Sequence, residues 1–249
     1  MTSIFVRKSM SSLYIITIVN VLFCYVCMLI GHAPTILSRA ADAVALMQEI
    51  LEIGAYKPIV VTMPSIGAGL AIEYYHTKIN GAETDNITFA ILAKSSFHGG
   101  LISAISFVVF FVSLLIMLPF TSENPVDQFG GAPHSSVYVN CFSCIIFHGF
   151  LLLLVGIFTS AIFMNIYVLK QDILVSYFAT ILIYQVITYL ESIIRIPSRY
   201  KIDCIASGWF RIGYDTPWLD MLWAIPVILM HMLPFVVRLI VKLKKKDKM

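Results

Sequence analysis

The sequence predicts an all-α integral membrane protein whose helices form one polytopic bundle. Long apolar runs alternate with short polar connectors, and several runs approach the ~20 residues that a helix needs to cross a ~30 Å hydrocarbon core. Of the 249 residues, 59% are hydrophobic, which is more apolar surface than a soluble protein can cover. No polar stretch is long enough for a separate soluble domain, so residues 1–249 are expected to form a single membrane domain.

The hydrophobic runs predict six transmembrane helices, at residues about 12–31, 59–76, 99–120, 138–168, 172–193 and 218–241. The first follows Arg7 and Lys8 and is not followed by a small-residue cleavage site, which favours a retained span over a secretory signal. The second is short and contains Pro64, Gly67 and Gly69. Counting it as a span gives six helices with both termini on the same side.

The distribution of positive charge predicts that both termini are cytoplasmic. With six spans, most of the 17 Lys and Arg residues fall on the side of the termini, including the lysine-rich tail 242–248, as the positive-inside rule requires. Without the short span, Arg7 and Lys8 would lie opposite this tail. The six-span orientation also places the glycosylation acceptor Asn86-Ile87-Thr88 in the cytosol, where it stays unmodified.

The segment from about 34 to 55 is predicted to form an amphipathic helix along the luminal face of the membrane. Its apolar residues recur at helical spacing, with polar and charged residues mostly between them. Insertion of this segment as a seventh span is the alternative, but four ionisable groups make it costly: Arg39, Asp42, Glu49 and Glu52.

Composition and motifs exclude several classes of function. The net charge of +3 is small, its distribution does not indicate nucleic-acid binding, and no phosphate loop, zinc motif, Gly-x-Ser-x-Gly elbow or nucleotide fingerprint occurs. Cys24/Cys27 and Cys141/Cys144 lie in predicted spans, where cysteine behaves as a small hydrophobe, so no metal or redox site is predicted. Cys204, alone in a polar connector, is the one expected to meet solvent.

Polar residues inside the spans are candidates for function, because the membrane tolerates them only at a cost. Asp220 and His231 are eleven residues apart in the last span, on one helix face and about 16 Å from each other. They mark a functional interior stripe, or alternatively an interfacial Asp and a His that packs against a neighbouring span. Glu191 and Arg195, four residues apart, are expected to form an interfacial ion pair.

Further polar residues lie along the fourth and fifth spans and where the third span ends. The fourth and fifth spans contain Asn140, Ser143, His148 and Gln185. After the third span, the carboxylate and amide of the Thr-Ser-Glu-Asn-Pro segment at 121–125 could bind a lipid headgroup. Equally, Glu-Asn-Pro is an ordinary helix stop.

Several short motifs resemble those of one six-span family. They are Pro34-Thr35-Ile36 with Ser38, Thr121-Ser122-Glu123-Asn124, His134, Cys204 before the last span, and Asp220 ahead of His231. This family contains the post-GPI-attachment protein that completes fatty-acid remodelling of GPI anchors, and the DRAM autophagy modulators. The chain departs from the pattern in having Asp220 where Glu is usual, in the inserted residues 128–133, and in the displaced Ser38.

The resemblance implies a Golgi or ER membrane protein that reacylates lyso-GPI on the luminal face. It needs no resident cofactor, and the acyl donor would be acyl-CoA or a phospholipid. The expected base is His134, oriented by Glu123 or Asp220, because acyl transfer needs a base near the attacking hydroxyl. Lipid contacts are expected from Ser122, Asn124, His148 and His231. The implied partners are membrane lipid and GPI-anchored proteins, with no nucleic acid, and the oligomeric state is left open.

Two other functions remain open from the sequence. The DRAM branch implies a non-enzymatic membrane regulator of endosomes or lysosomes, in which the intramembrane polar residues serve packing and lipid contact. The other open function is that of a small transporter or of a subunit of a larger membrane complex. The sequence shows no inverted repeat and only one span broken by Gly and Pro, whereas a transporter typically has a pair.

Overall fold

All regular structure is helical in the part of the chain that the structure describes. The structure, a computed structural model, describes residues 57–80, 89–117, 141–207 and 217–246 and scattered positions between 26 and 50. Four of its helices are long and apolar enough to cross a membrane. These correspond to the third to sixth predicted spans, and they support a helical membrane bundle, whereas six spans and cytoplasmic termini stay predictions.

The described helices follow the predicted order, with shifted ends. They are α1 Lys57–Val61, α2 Met63–Asn80, α3 Phe89–Met117, α4 Cys141–Lys170, α5 Ile173–Ile193, a 3-10 helix Ser198–Tyr200, α6 Ile202–Ser207 and α7 Pro217–Lys246. The largest shift is in α3, which begins at Phe89 instead of 99. Residues 89–98 look like a polar connector in sequence, but Ile91 and Leu92 are buried in the bundle, and this packing extends the helix.

Helix α4 lies at the centre of the bundle. It packs against α2, α3, α5, α6 and α7, and its buried aromatic residues Phe147, Phe158 and Phe163 contribute to both hydrophobic clusters of the core. By contrast, α5 and α7 each pack mainly on α4 and expose large apolar side chains along their outer faces. These outer faces suit contact with lipid chains, because lipid is as apolar as the side chains themselves.

The short apolar segment Ile59–Tyr75 is a broken helix. Proline has no N–H to continue the helical bonding, and the chain breaks at Thr62, two residues before Pro64. Hydroxyl groups of neighbouring helices bond the carbonyls around the break. Ser103 Oγ donates to the carbonyl of Ile59 at 3.2 Å, and Ser160 Oγ lies 3.1 Å from that of Pro64. Such replacement bonds let a broken helix persist in an apolar environment.

The described positions of the segment predicted as amphipathic are helical at 33–37, 46, 49 and 50. Ile36, Leu37, Leu46 and Ile50 are buried and belong to the main hydrophobic cluster. At these positions the apolar side is therefore covered by the bundle. Its orientation relative to the membrane stays a prediction.

Part of the connector before the last span, residues 202–207, packs into the bundle. The sequence predicts residues 195–216 to be a polar loop, but Ile202, Ile205 and Ala206 of α6 are fully buried and α6 packs against α4. The apolar residues Ile202, Ile205 and Ala206 lie on one side of this short helix, so they can be buried while Asp203 stays partly exposed. The prediction of a simple loop is wrong here, and α6 brings new groups to the end of α5.

Candidate functional site

Only part of the predicted site lies in the described part of the chain. Ser122, Glu123, Asn124 and His134 fall outside the described residues, and Asp220, His148 and His231 fall within them. The predicted proximity of Glu123, His134 and Asp220 therefore stays a prediction.

Asp220 is buried inside the bundle and does not lie at an exposed interface. It lies in the first turn of α7, and only 1% of its surface is exposed. A carboxylate in the first turn of a helix is stabilised by the positive end of the helix dipole. Asp220 is thus a buried acid in the first turn of an apolar helix that is long enough to cross a membrane.

His148 lies in the interior of the bundle between α3 and α4. Its side chain is fully buried, and its ring makes an edge-on contact with Phe147, with 5.1 Å between centroids. Phe107 of α3 packs on it at 6.3 Å. The ring of His148 is thus surrounded by protein in the described part of the chain, and its predicted lipid contact stays a prediction.

The most developed polar cluster joins Glu191, His231 and Ile202. Glu191, which is 4% exposed, lies near the end of α5. Its Oε1 atom is 3.0 Å from Nε2 of His231 on α7. The backbone N–H of Ile202, at the start of α6, donates to both carboxylate oxygens at 3.3 and 3.2 Å. One carboxylate therefore connects three helices.

The hydrogen bonds of His231 locate the proton on Nδ1 and show that a second proton is shared between Nε2 and Glu191. Nδ1 is 2.8 Å from the carbonyl oxygen of Val227, and a carbonyl only accepts, so Nδ1 carries a proton. Nε2 then donates to an ionised Glu191 or accepts from a protonated one. The pair is neutral overall in both cases, which reduces the cost of burying it. Neither form leaves a ring nitrogen available for a substrate proton.

Aromatic packing shields this cluster. Phe158 of α4 makes an edge-on contact with the ring of His231 at 6.2 Å and with Phe235 at 6.0 Å. An apolar surround strengthens the hydrogen bonds inside it. The Glu191–His231 pair is therefore suited to holding helices together.

The predicted ion pair between Glu191 and Arg195 is replaced by the pair with His231. Helix α5 ends at Ile193, and Arg195 follows in the left-handed conformation with φ 56°. The N–H groups of Ile196 and Arg195 donate to the carbonyls of Glu191 and Ser192, at 3.1 and 3.3 Å. This is a Schellman closure. Because the helix has already ended, the four-residue spacing no longer brings the two side chains together.

The connector that carries α6 is attached at several points. Lys57 Nζ lies 3.4 Å from Asp203 Oδ2, and Trp223 Nε1 of α7 donates to the carbonyl of Arg199 at 3.2 Å. The ring of Tyr200 packs on that of Trp223 at 5.7 Å. These contacts hold the start of α6, and with it the Ile202 N–H, against Glu191.

Cys204 lies on α6 and is half-buried, so the prediction of a solvent-facing loop cysteine is only partly met. Burial raises the pKa of its thiol; Lys201 lowers it, whereas Asp203 and Glu191 raise it. The thiol is therefore protonated at neutral pH and is a weak nucleophile.

The sequence reasoning missed the pairing of Glu191 with His231. It matched Glu191 to Arg195 by spacing and His231 to Asp220 by helix face. One feature of the sequence could have indicated this pairing. Glu191 and His231 both lie in apolar helices, where an acid and an imidazole each need a hydrogen-bond partner.

No family model, curated protein or solved structure matches this chain.

Proposed function

We propose that this chain is a multi-pass membrane protein that remodels membrane lipids, by reacylating lyso-GPI at the luminal face of the ER or Golgi membrane. The observation that supports this most is the burial of Asp220 at the end of a membrane helix. Buried acids in membrane helices are rare, and they are usually kept for function. The family resemblance supplies the lyso-GPI substrate and the organelle.

The polar groups divide into two roles in this proposal. The Glu191–His231 pair holds α5, α6 and α7, since all its hydrogen-bonding groups are used within the protein. Asp220 lies eleven residues before His231 on the same helix, about 16 Å away along its axis. It is the acid of α7 that would act with Glu123 and His134.

The proposed reaction is an acyl transfer. The free hydroxyl of lyso-GPI attacks the carbonyl of the donor ester or thioester, and a new ester bond forms as the old acyl bond breaks. His134 would accept the hydroxyl proton and pass it to the leaving alcohol or thiol. Asp220 or Glu123 would orient His134 and stabilise its protonated form, and hydrogen-bond donors must stabilise the oxyanion.

The test is lipid analysis of GPI anchors from cells that lack the protein. Lyso-GPI should accumulate, and re-expression of wild-type protein should remove it. Asp220→Asn, which keeps the size of the side chain, should be expressed normally without removing lyso-GPI. Asp203→Asn is the matched control, because Asp203 is a more exposed acid, paired with Lys57, and this variant should restore remodelling.

Two results would count against the proposal. Normal GPI lipids in cells without the protein would reject the substrate. Full activity of Asp220→Asn would remove Asp220 from the mechanism. Loss of the Asp220→Asn protein itself, seen by fluorescence-detected size exclusion, would instead assign Asp220 to folding.

A non-enzymatic membrane regulator is the second candidate. The self-contained Glu191–His231 pair favours it, because a polar cluster that bonds only to its own protein can serve packing alone. In that case Asp220→Asn and His134→Ala would leave the cellular phenotype unchanged, and the protein would be found in endosomes or lysosomes.

A further inference from the structure

Exposed cations gather at the end of the bundle where α4 gives way to α5. A second hydrophobic cluster marks this end, with buried residues from α2, α3, α4 and α7. Lys94 follows Ile91 of this cluster by three residues, and Lys242 follows Leu239 by three. Both lysines are exposed, and in the described ranges neither has a carboxylate within salt-bridge distance.

Lys94 belongs to a compact group with Tyr75 and His98. Its Nζ atom lies 5.8 Å from the centre of the Tyr75 ring, within reach of a cation–π contact. The hydroxyl of Tyr75 is 3.5 Å from Nε2 of His98, whose Nδ1 donates to the carbonyl of Lys94 at 2.9 Å. An ammonium, an imidazole and a phenol thus lie together on the outer surface of α2 and α3.

The nearest acid along the chain does not neutralise this group. Glu73, two residues before Tyr75, is partly buried and interacts electrostatically with Tyr167 of α4. It therefore lies towards α4, whereas Tyr75 contacts α3. Among the described residues, the group therefore keeps a positive charge that an anion can neutralise.

The length of α3 places the group at the depth of lipid headgroups. The helix has 29 residues and is about 43 Å long, which exceeds a hydrocarbon core of ~30 Å. Its first turns therefore extend into the headgroup region. Phe97, three residues after Lys94 and so beside it on the helix surface, is about half exposed and offers apolar contact to an acyl chain next to the polar group.

We propose that Lys94, positioned by Tyr75 and His98, binds the headgroup phosphate of an anionic phospholipid in the leaflet at this end of the bundle. By the charge distribution this is the cytoplasmic leaflet, where such lipids are enriched. The Lys94 ammonium attracts the phosphate and donates hydrogen bonds to it, the hydrogen bonds of Tyr75 and His98 hold the lysine in place, and the exposed Phe97 ring favours a lipid over a soluble anion.

Native mass spectrometry of the detergent-purified full-length protein tests this site. Wild type should retain phosphatidylserine in preference to phosphatidylcholine. Lys94→Gln should lower the apparent affinity for phosphatidylserine about fivefold, the effect of one lysine near an anionic surface. Lys94→Arg should keep it. Lys57→Gln is the matched control, because it removes one cation elsewhere, and it should bind as wild type does.

Equal retention of the two lipids by wild type, or equal loss in Lys94→Gln and Lys57→Gln, would overturn the proposal. Binding of inorganic phosphate without lipid, lost in Lys94→Gln, would assign the group to a soluble anion and would also overturn it. If Lys94→Gln does not fold, His98→Gln replaces it, with a weaker affinity for phosphatidylserine expected and unchanged affinity contradicting the site.

Discussion

At the scale of single residues, Glu191 shows what makes a buried acid tolerable in a membrane bundle. Its Oε1 atom is hydrogen-bonded to Nε2 of His231, and both of its oxygens accept from the N–H of Ile202, so neither oxygen faces an apolar surface unpaired. The pair is also neutral overall, wherever the shared proton lies. Removing one member of such a pair costs more than the pair itself contributes, because the other member stays buried.

Glu191→Ala is therefore expected to lower the free energy of unfolding by about 3–5 kcal/mol. The change removes the hydrogen-bond partner of both Nε2 of His231 and the Ile202 N–H. Denaturation of the purified protein in mild detergent measures it. Arg195→Gln is the control, since Arg195 is exposed, and it should change stability by no more than about 0.5 kcal/mol. Equal losses in both variants would support the Glu191–Arg195 pair instead.

At the scale of elements, small residues decide how closely the central helices approach. A Cβ added at Gly99 of α3 would collide with Oγ of Ser160 on α4 and with the carbonyl oxygen of Pro64 on α2. These two atoms are 3.1 Å apart, next to the break between α1 and α2, and the Ser160 hydroxyl is shared between the carbonyls of Pro64 and Gly156. The close approach of α3 to α2 and α4 therefore occurs at the same place as the break between α1 and α2.

Gly99→Ala should destabilise the protein by about 1–3 kcal/mol, as overpacking of a well-packed site does. The Pro64 carbonyl is backbone and cannot rotate away as a side chain would. Gly149→Ala is the matched control on α4, because nothing lies within 4 Å of its added Cβ, and alanine there should be neutral or stabilising by up to about 1 kcal/mol. Thermal unfolding in detergent compares the Gly99→Ala and Gly149→Ala variants. Similar midpoints would show that α3 and α4 can move apart without loss of stability.

At the scale of the whole molecule, the charge distribution predicts the orientation. Tags at both termini should be accessible from the cytosol, and Asn86 should carry no glycan, because the positive-inside rule places its connector in the cytosol. Protease protection of tagged microsomes and endoglycosidase treatment measure this. A glycan that disappears in Asn86→Gln would show that the predicted orientation is reversed. Termini on opposite sides of the membrane would show that the short segment 59–76 is not a span.

The sequence by itself determined the class of the molecule and the core of its four long spans. In the hydrocarbon core of a membrane no water is present, so the backbone N–H and C=O groups must form hydrogen bonds within their own segment. Long apolar runs therefore form helices. It also singled out Asp220, His148 and His231, because ionisable groups in such runs stand out.

The tertiary structure alone decided the partners of these groups and the fate of the connectors. Glu191 and His231 are 40 residues apart, and no spacing rule relates side chains on two helices whose relative depth is set by packing on α4. Residues 89–98 and α6 are mixed in polarity, so their helical form depends on the bundle that buries Ile91, Leu92, Ile202 and Ile205. The hydrophobic pattern alone determines a helix where the apolar membrane excludes every other backbone structure. In the connectors, contacts with distant segments supply the free energy that stabilises the helical form.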